Sequence, residues 1–344
     1  MRAHRTRPFR PTRVAIAAVA ATTALAVGAC SAPAEDTAAT SSMPSADPGA
    51  LPVTIDHSYG STTVTDQPSR VAAMGVGDAD TLLALGITPT TIAPFNDPPE
   101  RSTPWNAELL GDAEPVILPE AAFEFGSQIP RALETDPDLV TAVGAAPSRE
   151  QYDILSKAVP TVTRPAEYPD WQVPWDAQTT QIGRAVGLPE QAQAKIDETR
   201  AFLADVREQH PELAGKTGVV VTSSPTGGLS IYSATDGRGQ TLTDYGLAFP
   251  ESLKSAITNG FYGEISAENY AMLNDADVVV AVDWDGANDR LRNDPNWQRQ
   301  PVAQEGRVVY LDQQVGTAMS VPTLLTIPWV AEQSVGPISE AAKR

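Results

Sequence analysis

The residues able to do chemistry are few, and their spacing excludes most of what they could do. Cys30 is the only cysteine in 344 residues, so the chain can form neither an internal disulfide nor a thiolate metal cluster. Beyond residue 29 the histidines are His57 and His210, too distant in sequence to suggest a multi-histidine zinc or manganese site. No G-x-S-x-G elbow and no H-E-x-x-H pair occurs. What remains is binding chemistry. Aromatics and arginines recur in polar, Gly- and Pro-rich stretches: Trp105, Arg149, Tyr152, Trp171, Trp175, Tyr232, Arg238 and Trp284, with Arg101, Tyr168 and Tyr262 nearby. Rings give large contact area at little entropic cost, and guanidinium groups donate to ligand oxygens. Packing of loops onto the body is the competing role for any one of these rings, and for Trp171 and Trp175 it is packing at a hinge.

The elements that must carry these loops alternate between strand and helix. "VTIDHSYGSTTVTDQP" reads as a hairpin about a Gly-Ser turn. "RVAAMG" is a strand, followed by the short helix "DADTLLALGI" with Asp78 as its N-cap. "TTIAPF", "EPVIL", "DPDLVTAV" and "TVTRP" are further short strands, with helical stretches such as "SREQYDILSKAV" between them. This alternation argues for an open, largely parallel α/β sheet. A shorter helix then runs to Gly187, and a long one from Pro189 to about Gln209. In the latter, Ala192, Ile196, Leu203 and Val206 form one apolar stripe. After it the grammar repeats: "TGVVVTSS" and "GGLSIYSA" are strands, and "GQTLTDYGL" is a helix. "ISAENYAMLNDADVVVAVD" is a capped helix running into a buried strand, and "GRVVYLD" and "SVPTLLTIPWVAEQ" close the chain. The chain therefore divides into an N-terminal α/β lobe at 51–175, a connecting helical segment at 176–212 and a C-terminal α/β lobe at 213–344.

The N-terminus has its own logic. Five arginines precede an apolar run from Val14 to Val27, about fourteen residues, short of the roughly 20 that span a bilayer. Residues 1–29 read as a secretory signal peptide. Val27-Gly28-Ala29-Cys30 resembles a bacterial lipobox, which makes Cys30 the lipidated first residue after cleavage, where an ordinary signal peptide would leave a free cysteine. Residues 30–50, rich in Ala, Ser, Thr and Pro, then form a flexible tether. Loss of the five arginines takes the formal charge from −19 to −24, which argues against nucleic acid as a partner.

Two near-misses carry nothing. Gly75-Val76-Gly77 lacks the third glycine of a dinucleotide fingerprint, since position 80 is Asp; it reads as a strand-to-helix turn. "DWDGANDR" would place Asn288 where a calcium loop needs Gly, and Asp294 where it needs Glu.

The order of "PSRVAAMGVGDADTLLALGITP", "DPDLVTAV", "YDILSKAVPTV", the mid-chain helix, "ISAENYAMLNDADVVVAV" and "GRVVYLD" resembles the substrate-binding lipoproteins of iron(III)–siderophore ABC importers. These belong with cobalamin and haem binders among the helix-linked, class III periplasmic binding proteins. The resemblance implies two Rossmann-like lobes joined by a single long α-helix, with the ligand in a shallow cleft between them. It implies no chemical step and no cofactor, because iron arrives inside the siderophore. It also implies a monomer, lipid-anchored on the extracytoplasmic face, that passes its ligand to an ABC permease. In the family an acidic residue on each lobe docks to the permease. The Ser266-Ala267-Glu268 pattern carries that role to Glu268, with helix capping as its alternative; Glu124 is the first-lobe counterpart if an insertion separates it from Asp136. An acidic body with scattered loop arginines suits a neutral or cationic ferric hydroxamate better than a tricatecholate. Cobalamin or haem is the alternative ligand, and a membrane-anchored hydrolase the remote alternative.

Overall fold

The computed structural model describes residues 43–95, 99–119, 121 and 124–344; the signal peptide, Cys30 and the tether to residue 42 lie outside the described residues. The ordered body begins before Leu51. Asp47 N–H donates to Gly187 O at 2.8 Å, and Asp47 Oδ2 accepts from Glu190 N at 2.6 Å. The segment just before Leu51 is thus tied to the break between the two connecting helices.

Strands β1 (Val53–His57) and β2 (Gly60–Val64) pair antiparallel, with His57 opposite Gly60. The turn is therefore Ser58-Tyr59 rather than the Gly-Ser pair. Backbone pairing sets this register, with Ile55 and Val64 on the buried face. Strands β3 (Val71–Ala73), β4 (Thr91–Ile92), β5 (Val116–Ile117), β6 (Leu139–Ala142) and β7 (Thr161–Thr163) form an all-parallel sheet in the order β5-β4-β3-β6-β7. β3, β6 and β7 are buried throughout, as a parallel sheet covered on both faces requires.

The second sheet comprises β8 (Gly218–Ser223), β9 (Leu229–Tyr232), β10 (Tyr262–Ile265), β11 (Val278–Val282) and β12 (Val308–Leu311), in the order β10-β9-β8-β11-β12. β8, β11 and β12 run parallel, while β9 is antiparallel to both β8 and β10. Its edge is therefore a meander, which accounts for the short Gly227-Gly228 connection between β8 and β9.

Between the sheets the chain runs through two helices, Trp175–Ala185 and Pro189–Gln209. Gly187, at φ 74°, ends the first in a left-handed conformation that favours glycine. The second has 21 residues, about 31 Å at 1.5 Å per residue. Ala192, Ile196, Thr199, Leu203 and Val206 are its buried face, the stripe that the spacing predicts. A closing helix, Thr326–Ala342, packs Ile327, Val330, Ala331 and Ile338 into the core of the second lobe. Fully burying each of the Ile and Val side chains contributes roughly 1.5–3 kcal/mol.

Two local expectations change. Asp78 is not an N-cap: Gly77, at φ 78°, holds that position and Asp78 is the first helical residue, wholly buried. The stretch Ala267–Asp275 is 3₁₀ rather than α, and the Ser266 side chain accepts no capping bond from its backbone. Only Tyr270 and Leu273 are buried there, three residues apart, a spacing that the tighter helix places one above the other.

Candidate functional site

Loops at the C-terminal ends of β3 and β6 form the floor of a cavity of about 310 Å³ between the sheets. Val76, Val143, Gly144 and Gln178 line this side. Asp236, Arg238, Phe261 and the Ser320–Pro322 segment line the opposite side, and Phe95 and Trp171 complete the lining. This is the crevice where open α/β sheets bind ligands.

The floor is held from beneath by Asp78. Its carboxylate accepts from Val143 N at 3.0 Å, Gly144 N at 2.9 Å and Gln178 Nε2 at 2.7 Å. Burial pushes this carboxyl up from its usual range, and the donors oppose that shift. Gly144 must lack a side chain, since a Cβ would stand 2.0 Å from Val76 O. The helix start, the β6 loop and the connecting helix are thus bound to one buried group.

On the far wall, Arg238 is already matched. Its Nε donates to Asp236 Oδ1 at 2.8 Å, and its guanidinium lies 3.7 Å from the centroid of the Tyr232 ring. Asp236 also caps the helix Gly237–Asp244 through Arg238 N. The acid, the arginine and the ring form a rigid unit facing the cavity, with the charge balanced within it. Trp171 is 39% exposed and adopts φ 64°. A bulky residue in the left-handed region is strained by about 1–3 kcal/mol and is held there by its surroundings, a pattern concentrated at functional sites.

The sequence-derived candidates separate in space. Trp171 and Arg238 line the cavity. Tyr232 backs Arg238, and Trp284 packs 6.1 Å from Phe95, centroid to centroid. Trp105 borders an adjoining recess with Asp80, donating its indole N–H to that carboxylate at 2.9 Å. Trp175 is buried in the second core and lines a different cavity of about 520 Å³ beside the long helix. Arg149 and Tyr152 line neither cavity. Tyr152 is buried, stacked on Tyr59 and edge-on to His57, while Arg149 pairs with Asp153 at 3.0 Å. A capping box accounts for their place: Ser148 and Gln151 start the helix Arg149–Ala158 and direct it against the β1–β2 turn.

Among the cavity residues that escaped the sequence reading are Phe95, Gln178, Asp236 and Phe261. Phe261 adjoins Tyr262, so its loop was legible although the facing ring was not. Gln178 carried no signal, being one polar residue inside a helix.

The acids on the surface are open. Glu268 is exposed in the first turn of the 3₁₀ run and makes no capping box with Ser266. Glu124 is exposed at the entry to the helix Phe125–Leu133, where its carbonyl accepts from Ser127 N.

Two α/β lobes bridged by a long helix and enclosing a ligand-sized crevice define a helix-linked solute-binding protein. Residues 130–315 match the periplasmic binding protein family, and the chain belongs to it. PiaA of Streptococcus pneumoniae TIGR4, solved in complex with ferrichrome, superposes with a TM-score of 0.74 at 28% identity, covering 85% of this chain and 99% of that one. YhfQ of Bacillus subtilis, a lipoprotein named as an ABC transporter substrate-binding protein, is 28% identical over 161 residues; the match spans 46% of each chain, less than half the length of that relative. The Fe(3+)-citrate-binding protein YfmC of Bacillus subtilis is 23% identical over 260 residues, covering 75% of this chain and 78% of its own.

Proposed function

We propose that this protein captures a ferric siderophore of the hydroxamate type outside the cytoplasmic membrane and delivers it to an ABC permease. The observation that carries the ligand class is the cavity's charge balance. Arg238 is its one lining arginine among the described residues, and Asp236 already neutralises it. A neutral chelate fits such walls: rings and aliphatic side chains cover its body, and the arginine edge donates to iron-bound oxygens. A multiply anionic chelate would enter with charge that nothing in the wall offsets.

The likeness to PiaA, a protein solved with ferrichrome, supports the same reading. The name of the YfmC relative favours ferric citrate as the competing cargo, and the matched arginine argues against it. No protein side chain needs to reach the metal, because the iron is enclosed by its chelator. The protein performs no bond-making step: affinity comes from covering the chelate between two walls, and release from their separation. Trp171, Arg238, Tyr232 and Trp284 are assigned to the ligand side, Glu124 and Glu268 to permease docking, and Cys30 to lipid attachment. The protein acts as a monomer tethered by that lipid.

A tryptophan-fluorescence titration with ferrichrome, a ferric tricatecholate, ferric citrate, haem and cobalamin tests the assignment. Saturation by ferrichrome at sub-micromolar concentration is expected. Saturation only by haem, cobalamin or an anionic chelate overturns it.

A further inference from the structure

Asp80 lies two residues beyond Asp78 and is also buried, yet among the described residues no cation pairs with it, and the three groups that hydrogen-bond to it all donate. Trp105 Nε1 reaches Oδ2 at 2.9 Å and Asn106 Nδ2 reaches Oδ1 at 3.0 Å, both from the first lobe. Thr323 Oγ1, 243 residues away and in the second lobe, reaches Oδ2 at 3.2 Å. The Thr323 hydroxyl is itself fixed. It accepts from Leu325 N at 3.2 Å and Thr326 N at 3.1 Å, and its single proton has two acceptors within reach, Asp80 Oδ2 at 3.2 Å and Thr326 Oγ1 at 3.3 Å, of which the carboxylate is the stronger. The lobes touch closely here, because a Cβ on Gly77 would stand 2.8 Å from Val321 Cγ1 and 2.9 Å from Thr323 Cγ2. Val321 and Pro322 are cavity wall, and Val76 is cavity floor.

We infer that Asp80 is an interlobe latch: by holding Thr323 against the Trp105–Asn106 loop, it sets the distance between the floor and the far wall of the cleft. Asp80 contacts no ligand in this scheme and acts as a positioning residue through Thr323. The chemistry demands a carboxylate. Asn106 Oδ1 is occupied by Thr103 N at 2.8 Å, so the Asn106 amide cannot turn to offer its oxygen. An asparagine at position 80 would set its own N–H₂ against either Trp105 N–H or Asn106 N–H₂. The effect on ligand residence rests on the siderophore reading above, whereas the latch itself does not.

Hydrogen exchange on the full, ligand-free chain separates a latch from local support. Asp80→Asn should speed exchange in the second-lobe segment 321–327, and Thr323→Val should speed it in the first-lobe segment 103–106. Thr323→Ser keeps the hydroxyl and should exchange like the native protein. Acceleration confined to the substituted lobe overturns the latch, and if Asp80→Asn does not fold, the two Thr323 variants decide alone. With ferrichrome as probe, dissociation should quicken about tenfold in Asp80→Asn and Thr323→Val, the scale of one hydrogen bond to a charged group. Cross-lobe exchange with unchanged dissociation overturns the role in the cleft. Failure of the native protein to bind ferrichrome removes the ligand assignment, and the exchange result still decides the latch.

Discussion

The Arg238 guanidinium sits 3.7 Å from the centroid of the Tyr232 ring while its Nε donates to Asp236 Oδ1 at 2.8 Å, so this cavity-lining arginine arrives there stacked and neutralised. Specificity follows from that relationship. Asp236→Asn leaves the cap and the shape largely in place but frees one positive charge. Affinity for ferric citrate or a tricatecholate should then rise at least fivefold relative to ferrichrome, measured by competitive titration. An unchanged ratio means that the wall's charge does not select the ligand.

Trp171 is held at φ 64° and lines the cavity. Trp171→Gly relieves the backbone strain and removes the ring, so stability and binding should move in opposite directions. Thermal midpoint is expected to hold or rise slightly, while ferrichrome affinity falls about tenfold or more. A parallel loss of both assigns Trp171 to packing alone.

Asp244 faces the larger cavity beside the long helix, where Trp175 hydrogen-bonds its carboxyl and Arg207 Nη1 donates to its backbone oxygen at 2.8 Å. Burial pushes the carboxyl up to about 6, nearby Asp176 adds to the rise, and Arg207 opposes it. A folded-state value above the unfolded one means that the folded state binds the proton more tightly. This contribution is therefore complete below about pH 4 and is lost as pH rises through 6. Asp244→Asn should be more stable than the native chain at pH 7.5, by about 1–2 kcal/mol after allowance for solvent screening, and equal to it near pH 4. Urea unfolding at the two pH values measures this.

His57 has the opposite sign. Burial holds its pKa below the ordinary 6.5, with Tyr59 N donating to Nδ1 at 3.2 Å. The neutral ring contributes stability that is complete above 6.5 and declines as pH falls below it, because the unfolded state then binds a proton that the folded state refuses. His57→Gln should flatten this decline between pH 6.5 and 5. A native slope retained in the variant assigns the acid sensitivity elsewhere.

Glu268 and Glu124 stand exposed, away from the cavity lining. Alanine at either position should leave ferrichrome affinity within twofold and reduce uptake by cells carrying the transporter. Undiminished uptake in both variants removes the docking assignment.

Periodicity and punctuation determined much of the architecture from sequence alone. The stripe Ala192, Ile196, Leu203, Val206 gave the long helix its buried face, and apolar runs such as "DVVVAVD" marked the buried strands, because both signals are local and repeat with the backbone's own period. The resemblance in segment order carried the family. Contact between distant segments was decided only by the tertiary structure. Asp78 read as a cap because capping is the local use of aspartate at a helix start, yet folding brings Val143, Gly144 and Gln178 to it. Arg149 and Tyr152 shared the loop grammar of Arg238 and Trp171, but the capped helix turns them toward the hairpin. Asp80 and Thr323, 243 residues apart, meet only because the two lobes pack against each other. Spacing along a chain says which face a residue takes on its own element; which element that face meets depends on how whole lobes pack.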